Sequence, residues 1–407
     1  MATNGDNLIS IGPISRSMGG VGIAAPQDAI SAVFSNPAAM CFGPYCPGSE
    51  FNFAGTLFMP KVDATVTAGG VSYSAESDRK VYAIPAIGLS VPITTTFPLW
   101  RFGIAAYGVS GLGVDYRNTP IETGAISAGP FTFPAVAGSF TQLQVMKFAP
   151  SISYEPNEKF SLGLAVHIDY SSLDLGNGSS FNYGIGAQLG AIYKPTDTVS
   201  LGLTYITPQK VNYKDVLLLT QPDGSSQRFD LKLQAPQQVG IGIAVEPVKD
   251  VFLVEVNGRW VNWANAKGYD DFDWKDQWVF GIGAQYKPTK QIALRLGYNY
   301  ANNPVKVHDN FVGVGPTGPT MTQVQDATIP TYYYETFRII GFPAIVKQHI
   351  TLGFGYEFSK RFVLNAGYTH AFKETINESG TNVFGQPATL RSSLSEDSIE
   401  FGMTFRF

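Results

Sequence analysis

The side chains in this sequence that could carry chemistry are few and scattered. Four histidines, His167, His308, His349 and His370, share no metal-ligand spacing. His167 and Asp169 stand two residues apart, so on a strand both project to one face. That suits an acid–base couple, but it reads more simply as part of a polar wall. A hydrolase needs a serine paired with a histidine, and no persuasive pairing stands out. Glu255 and Arg259 fall on one strand face two pleats apart, which fits an ion pair anchoring an internal segment better than it fits catalysis. The run Gly19-Gly20-Val21-Gly22 lacks the following lysine and the preceding strand of a phosphate-binding loop. The only cysteines, Cys41 and Cys46, bracket a short stretch. In an exported protein a local disulfide is expected there, two free thiols being the alternative, and no third ligand lies near for a metal. Neither an enzyme nor a bound cofactor is expected from this inventory.

The elements that must position these residues are strands. Along 398–407, Ile399, Phe401, Met403, Phe405 and Phe407 alternate with Ser398, Glu400, Gly402, Thr404 and Arg406, the period of two that marks a strand. A terminal strand ending on phenylalanine looks like the closing strand of an outer-membrane β-barrel. The same alternation in 161–170, 252–260 and 291–300 keeps Asp169, Glu255, Arg259 and Arg295 off the apolar face, where a charge at mid-bilayer would cost about 2–4 kcal/mol. Apolar residues therefore point outward and polar ones inward. Charged residues make up only 15% of the 407, against about 25% in soluble domains, yet no run of ~18 apolar residues could form a spanning helix. The net charge is −4 with no basic stripe, so nucleic acid is not an expected partner.

Short polar turns at Glu155-Pro156, Lys194-Pro195, Pro247-Val248, Lys287-Pro288 and Ser359-Lys360 separate pairs of strand-like runs. The expected fold class is all-β, a transmembrane antiparallel β-barrel of about fourteen strands, near 48–60, 81–93, 100–116, 142–155, 159–172, 182–194, 198–213, 229–246, 251–263, 275–287, 291–303, 344–358, 361–373 and 395–407. An even count puts both termini on the periplasmic side. The long loops fall near 61–80, 117–141, 214–228, 264–274, 304–343 and 374–394. The stretches 119–140 and 330–346 are unusually apolar for loops.

Residues 1–47 do not alternate. Asp28 is placed to cap a short helix through Phe34, and Asn36-Pro37 to end it. The segment is too apolar for a floating tail and too irregular for a strand. A barrel of this size has a lumen to fill. Residues 1–47 are therefore expected to plug it, with 48–407 forming the barrel. Ile9, Ile11, Ile14, Met18, Val21, Ile23 and Phe34 are candidates for lining a ligand pocket, or for packing the plug against the wall. The residues Met1 to Asn4 carry neither a basic region nor an apolar one, so an export signal is expected to have been removed.

At Met18-Gly19-Gly20, Asp28-Ala29 and above all Asn36-Pro37-Ala38, the chain resembles the FadL family of outer-membrane transporters for long-chain fatty acids and other hydrophobic compounds. The likeness continues through Gly202-Leu203-Thr204-Tyr205, Ala235-Pro236-Gln237, Trp274 to Trp278 and Leu294 to Tyr298, and so covers most of the chain. The long loops and the cysteines match no pattern. The resemblance implies that the N-terminal region is a hatch bearing the motif Asn36, Pro37 and Ala38. It also implies that a ligand moves from an apolar groove among the loops to a pocket beside the hatch. A shift of the hatch then opens a lateral exit at an inward kink of the third strand. That strand is rich in glycine, which marks bends and bulges, and the kink is expected at Gly108, Gly111 and Gly113. The implied partners are hydrophobic small molecules and outer-membrane lipid, and the implied state is a monomer in the outer membrane of a Gram-negative bacterium. The alternative is a general diffusion porin, which calls for a charged constriction and no apolar plug.

Overall fold

Alternating side chains need two solvents, and the fold supplies them by closing one sheet into a ring. The computed structural model describes residues 3–42, 48–78, 80–220 and 225–407. Its wall has fourteen strands: β1 (Glu50–Ala68), β2 (Tyr82–Pro92), β3 (Leu99–Asp115), β4 (Phe140–Asn157), β5 (Phe160–Asp174), β6 (Ser179–Thr196), β7 (Val199–Ile206), β8 (Gln238–Val248), β9 (Phe252–Val261), β10 (Gln277–Tyr286), β11 (Ile292–Ala301), β12 (Gln348–Ser359), β13 (Phe362–Thr381) and β14 (Pro387–Arg406). Each pairs antiparallel with its sequence neighbours, and β1 pairs with both β2 and β14, so the ring has no free edge strand. Phe53, Leu164, Leu203, Leu296, Leu352 and Phe401 are exposed on the outer face. Asn52, Glu255, Asn299, Thr351 and Glu400 are buried on the inner one.

The wall departs from the alternation-based expectation in three places. The stretch 61–80, expected as a loop, carries β1 on to Ala68 and pairs a short strand, Val71–Glu76, back onto it. The run expected as one strand over 198–213 leaves the wall after Ile206. A separate two-stranded hairpin follows, Gln209–Thr220 paired with Ser226–Ala235, and the wall resumes at Gln238. Pro208 and Pro236 stand at the two departures. Proline has no N–H to give a ladder, so the sheet cannot run through them although the side-chain pattern does. The stretch 374–394, expected as a loop, instead extends β13 and β14. The tip is closed by Asn382, whose Oδ1 accepts from the backbone N–H of Phe384 (2.9 Å) and of Gln386 (3.1 Å). That extension holds only a few apolar residues, Ile376, Ala388, Leu390 and Leu394, among polar ones, so hydropathy gives it no sustained period.

The apolar loop over 330–346 is largely buried, and 119–140 is buried in part: Ile121, Ile126, Ala135 and Val136 are covered, whereas Phe131 and Phe133 stay exposed. Over the end of the ring opposite the short turns, the loops pack an apolar core in which Tyr332, Ile339, Ile340 and Val346 meet Leu390 and Val66. Tyr332 Oη donates to the Ala135 carbonyl (2.6 Å) and Thr141 Oγ1 to the Gly341 carbonyl (2.6 Å), tying the loop between β3 and β4 to the loop between β11 and β12. The pairing expected of Cys41 and Cys46 lies outside the described residues.

Candidate functional site

The N-terminal segment packs against the inward faces of the strands. It holds α1 (Pro13–Arg16), α2 (Ala29–Ser35) and a 3₁₀ turn (Pro37–Cys41). Asp28 caps α2, its Oδ1 accepting from the Ser31 N–H at 2.9 Å. Five wall carboxamides and carboxylates hold the segment's backbone, among them Glu50 and Asn52, which accept from the N–H groups of Ala29 (3.0 Å) and Ile30 (3.2 Å). Glu255 accepts from the N–H groups of Gly22 (3.0 Å), Ala24 (2.8 Å) and Ala25 (3.2 Å). Gln188 Nε2 donates to the carbonyls of Phe34 (3.2 Å) and Ser35 (3.1 Å). Asn299 Nδ2 donates to that of Gly19 (3.0 Å). Arg259 donates to the carbonyls of Ile9 (3.2 Å) and Gly20 (2.6 Å). Glu255 and Arg259 thus share the strand face expected of them, but each takes a backbone partner and no ion pair joins them. Arg16 Nε donates to Glu400 Oε1 at 2.8 Å, with both side chains almost fully buried.

Asn36, Pro37 and Ala38 sit against glycines of the wall, Gly163 and Gly190. Asn36 Nδ2 donates to the carbonyls of Ile23 (2.8 Å), Ala191 (3.1 Å) and Leu203 (3.3 Å), while its Oδ1 accepts from the Ala38 N–H (3.1 Å). Ser161 Oγ donates to the Ala38 carbonyl at 2.7 Å. A Cβ on Gly163 would stand 2.1 Å from the Ala38 nitrogen, and one on Gly190 would stand 2.0 Å from Asn36 Oδ1. Only glycine admits this approach of segment to wall.

At β3 the segment takes over from a strand. β2 pairs with β3 only from Pro92↔Arg101 to Ala86↔Tyr107. Beyond Tyr107 the register with β4 shifts between Gly108 and Ser110, leaving a bulge at Val109. The edge that β2 has released is met by the N-terminus: the Leu8 N–H donates to the Val109 carbonyl (3.0 Å) and the Gly111 N–H to that of Asp6 (3.1 Å). On the other side of the break, the residues of β2 from Tyr82 to Pro85 pair only with β1.

Behind this bulge lies a cavity of about 80 Å³. The segment supplies Asp6, Asn7, Leu8, Ile23, Phe34 and Ser35 to its lining. Strands supply Tyr107, Val109, Leu143, Val145, Lys147, His167 and Asp169. The inserted hairpin supplies Gln209, Val211, Tyr213 and Leu233, and the loop after β9 supplies Tyr269. Phe34 meets Tyr107 edge-on at 5.4 Å. Of the seven apolar residues singled out in sequence, Ile23 and Phe34 line this cavity. Ile9, Ile11, Ile14, Met18 and Val21 are buried elsewhere, Ile14, Met18 and Val21 in one cluster with Ala244 and Leu253. Gly108 and Gly111 flank the bulge, and Gly113 lies further along β3 opposite Gln142. Sequence reasoning missed Lys147, whose inward phase on β4 was readable, and the hairpin and Tyr269, whose approach to the site leaves no local signal.

Among the loops, His308 Nδ1 and carboxylate oxygens of Glu335 and Glu378 lie close enough to share a cation. Arg338 fills that role. Its Nε donates to Glu335 Oε2 (3.0 Å) and its Nη2 to Glu378 Oε1 (3.0 Å), and Nη2 lies 2.9 Å from His308 Nδ1. His308 Nε2 is 2.8 Å from Asp273, which also pairs with Lys306. The Glu335 carboxylate raises the His308 pKa above 6.5, against partial burial and the Arg338 charge. A raised pKa makes the stabilisation complete below about pH 6.5 and lost as pH rises through the raised value. Backbone amides of 304–343 are therefore expected to show greater protection at pH 6 than at pH 8 in hydrogen exchange, once the base-catalysed intrinsic rate at each pH is divided out. A His308→Ala chain with the same pH dependence would show that another group is responsible.

Residues 7–317 match the family described as outer membrane protein transport protein (OMPP1/FadL/TodX). No curated protein sequence matches the chain. Among solved structures, the toluene transporter TodX of Pseudomonas putida superposes with a TM-score of 0.67 at 20% identity, over 98% of this chain and 99% of that one. A FadL homologue of Pseudomonas aeruginosa gives 0.68 at 15% identity, over 100% and 98%. The toluene transporter TbuX of Ralstonia pickettii gives 0.62 at 17%, over 98% and 99%. At these identities the likeness is one of fold.

Proposed function

The chain belongs to the OMPP1/FadL/TodX family of outer membrane transport proteins, and from that premise we propose that it takes up hydrophobic molecules through a gated pocket with a sideways exit. The ligand enters among the loops and reaches the cavity behind β3. Residues 1–47 act as the hatch, seated on the wall through Asn36, Pro37 and Ala38. When Asp6 and Leu8 let go of the β3 edge, the break between β2 and β3 opens toward the lipid. The short turns and both termini then face the periplasm, and the ligand never crosses water. Each CH₂ kept out of water is worth about 0.8 kcal/mol, so an apolar path binds what an aqueous pore would reject.

The observation that carries this reading is the hand-over at Val109. There the wall's hydrogen bonding passes from a strand to the N-terminal segment, in contact with the cavity. A cavity of about 80 Å³ is smaller than the ~150 Å³ that accommodates benzene, which makes hatch movement part of binding. A general diffusion porin fits less well, since the buried segment is tied to strands around the ring.

The exit can be shut with a cross-link. A Cβ on Gly108 would lie 3.9 Å from the Ile84 Cβ, within the ~3.5–4.5 Å range of disulfides. With Cys41 and Cys46 replaced by serine, Ile84→Cys with Gly108→Cys is expected to abolish uptake of toluene or oleate into proteoliposomes when oxidised and to restore it on reduction. Ligand binding in detergent should persist throughout. Unchanged uptake by the oxidised protein would exclude this exit, and swelling in small sugars without any hydrophobic ligand bound would favour the porin.

A further inference from the structure

We propose that a second cavity, at the end of the ring that carries the short turns, binds a small soluble oxyanion, a carboxylate or a phosphate, on the buried guanidinium of Arg295. This goes beyond the uptake of hydrophobic molecules and does not rest on the cavity behind β3. The second cavity has a volume of about 260 Å³. It lies between Ile14 and Gln27 of the N-terminal segment and the inward faces of β10 to β14.

Arg295, on β11, is only 7% exposed. A guanidinium has five N–H donors, and two of them are used. Nε donates to Gln285 Oε1 (2.7 Å) and Nη1 to Asn365 Oδ1 (3.0 Å). Nη2 makes no hydrogen bond and stays open to the cavity. Both partners are neutral amides, which satisfy donors without compensating a charge. Arg16, Arg338 and Arg406 each meet a carboxylate. Among the described residues Arg295 meets none. Asp28 acts on it through space only, its Oδ1 being held by the Ser31 N–H. A buried charge without a counter-ion is costly, so its retention beside a cavity indicates what the cavity receives. The seat is fitted to the guanidinium: a Cβ on Gly355 would stand 3.0 Å from Nη1.

The turn between β10 and β11 adds Lys287 and Lys290 to the lining, and neither ammonium has a partner among the described residues. Burial, and after it the charge of Arg295, hold the Lys287 ammonium below the usual lysine pKa, with Asp250 and Glu246 acting the other way. The two cations therefore stand near enough to repel each other, which an oxyanion received by both would relieve. Arg406 is already engaged, with Glu50 at 3.0 Å and Glu357 at 3.6 Å, and Asp250 is exposed. The free donors of Arg295 form a planar fork suited to two oxygens of one anion. Because the site faces into the ring, the anion comes from the aqueous side and not from a lipid head group in the surrounding bilayer. If Arg295 served only to tie β10 to β13 through two amides, the cavity would be indifferent to anions.

The test is phosphorus NMR of inorganic phosphate mixed with the full chain in a phosphate-free detergent at pH 7 and low ionic strength. The phosphate line is expected to broaden, and acetate to narrow it again by competition. Chloride at equal ionic strength lacks the paired oxygens and should displace phosphate roughly tenfold less well. Arg295→Met should weaken apparent binding roughly tenfold, and Lys287→Met should weaken it severalfold. Lys360→Met, which removes an exposed cation from another short turn outside the cavity, should leave it unchanged. No broadening by the unaltered chain, equal displacement by chloride, or broadening that survives in Lys287→Met would each overturn the proposal. None of these results bears on uptake or on the cavity behind β3. The Lys287 side chain bonds nothing among the described residues, so its replacement decides the matter even where the Arg295 variant does not fold.

Discussion

Deleting residues 1–40 is expected to convert a closed, ligand-binding barrel into an open pore. The wall depends on the segment for its ladder only at the β3 edge, where Leu8 and Asp6 bond Val109 and Gly111; elsewhere β1 to β14 pair with one another around the ring. Removing the segment entirely also admits water to the groups that had held it. Glu255, Gln188 and Asn299 exchange backbone partners for solvent and are not left buried and unpaired, the outcome that makes a single missing partner costly. A ring of fourteen strands falls between small barrels filled by side chains and the porins with 16–18 strands that leave an aqueous channel. Planar-bilayer conductance should therefore rise roughly tenfold or more on deletion, and binding of hydrophobic ligands should be lost with Leu8, Ile23 and Phe34. Heat-modifiable electrophoresis reports whether the barrel has folded. A folded deletion chain that still binds ligand, or conducts no better, would separate the segment from the pocket.

Replacing Arg16 alone is expected to do more local damage than its position suggests. Arg16 Nε and Nη2 donate to Glu400 Oε1 and to Ser398 Oγ (2.8 and 2.9 Å), with 1% and 0% of the two ionic side chains exposed. Removing one partner of a buried pair costs about 3–5 kcal/mol, because the other charge stays behind without compensation. In Arg16→Leu, Glu400 keeps only the Ser398 and Thr369 hydroxyls. That energy is set against the seating of the segment, not against the barrel, so the segment should become protease-sensitive while the wall stays intact. Arg16→Leu combined with Glu400→Leu should recover most of the protection, since two apolar groups of similar size avoid the stranded charge. Equal sensitivity of the single and double variants would mean that the ion pair does not hold the segment.

The wall was legible in the sequence because a membrane enforces a period of two on every strand that crosses it. Where the environment stops enforcing it, legibility ends. The extensions of β13 and β14 carry too few apolar residues to show a period, and they read as loop. The hairpin Gln209–Thr220 and Ser226–Ala235 keeps the pattern of a wall strand although it has left the wall, and only Pro208 and Pro236 betray the departure. The N-terminal segment stood out by failing to alternate, and Asp28 marked the start of α2 correctly. The cavity was harder to read. Lys147 and Gln209 are 62 positions apart and meet only because the hairpin folds inward. Glu255 and Arg259 were readable as inward-facing. Their partners were not, since backbone carbonyls and N–H groups of a distant segment leave no mark on side-chain spacing.

The bond between Arg16 and Glu400 also bears on how such a molecule is made. The segment precedes β1 in the chain, yet it is enclosed by strands that follow it, and its guanidinium is held by the last of them. A ring sealed empty would have to part again along a seam, and the β1–β14 seam runs from Glu50↔Arg406 to Ala68↔Ala388. The economical order of assembly is for the first forty residues to lie in place while the sheet curls around them. Docking of the final strand then both seals the seam and supplies the carboxylate that Arg16 needs. The segment ahead of the wall and the strand that closes it would in that way be matched to each other at the moment of closure, and a chain whose segment was misplaced would reach that step with Glu400 uncompensated.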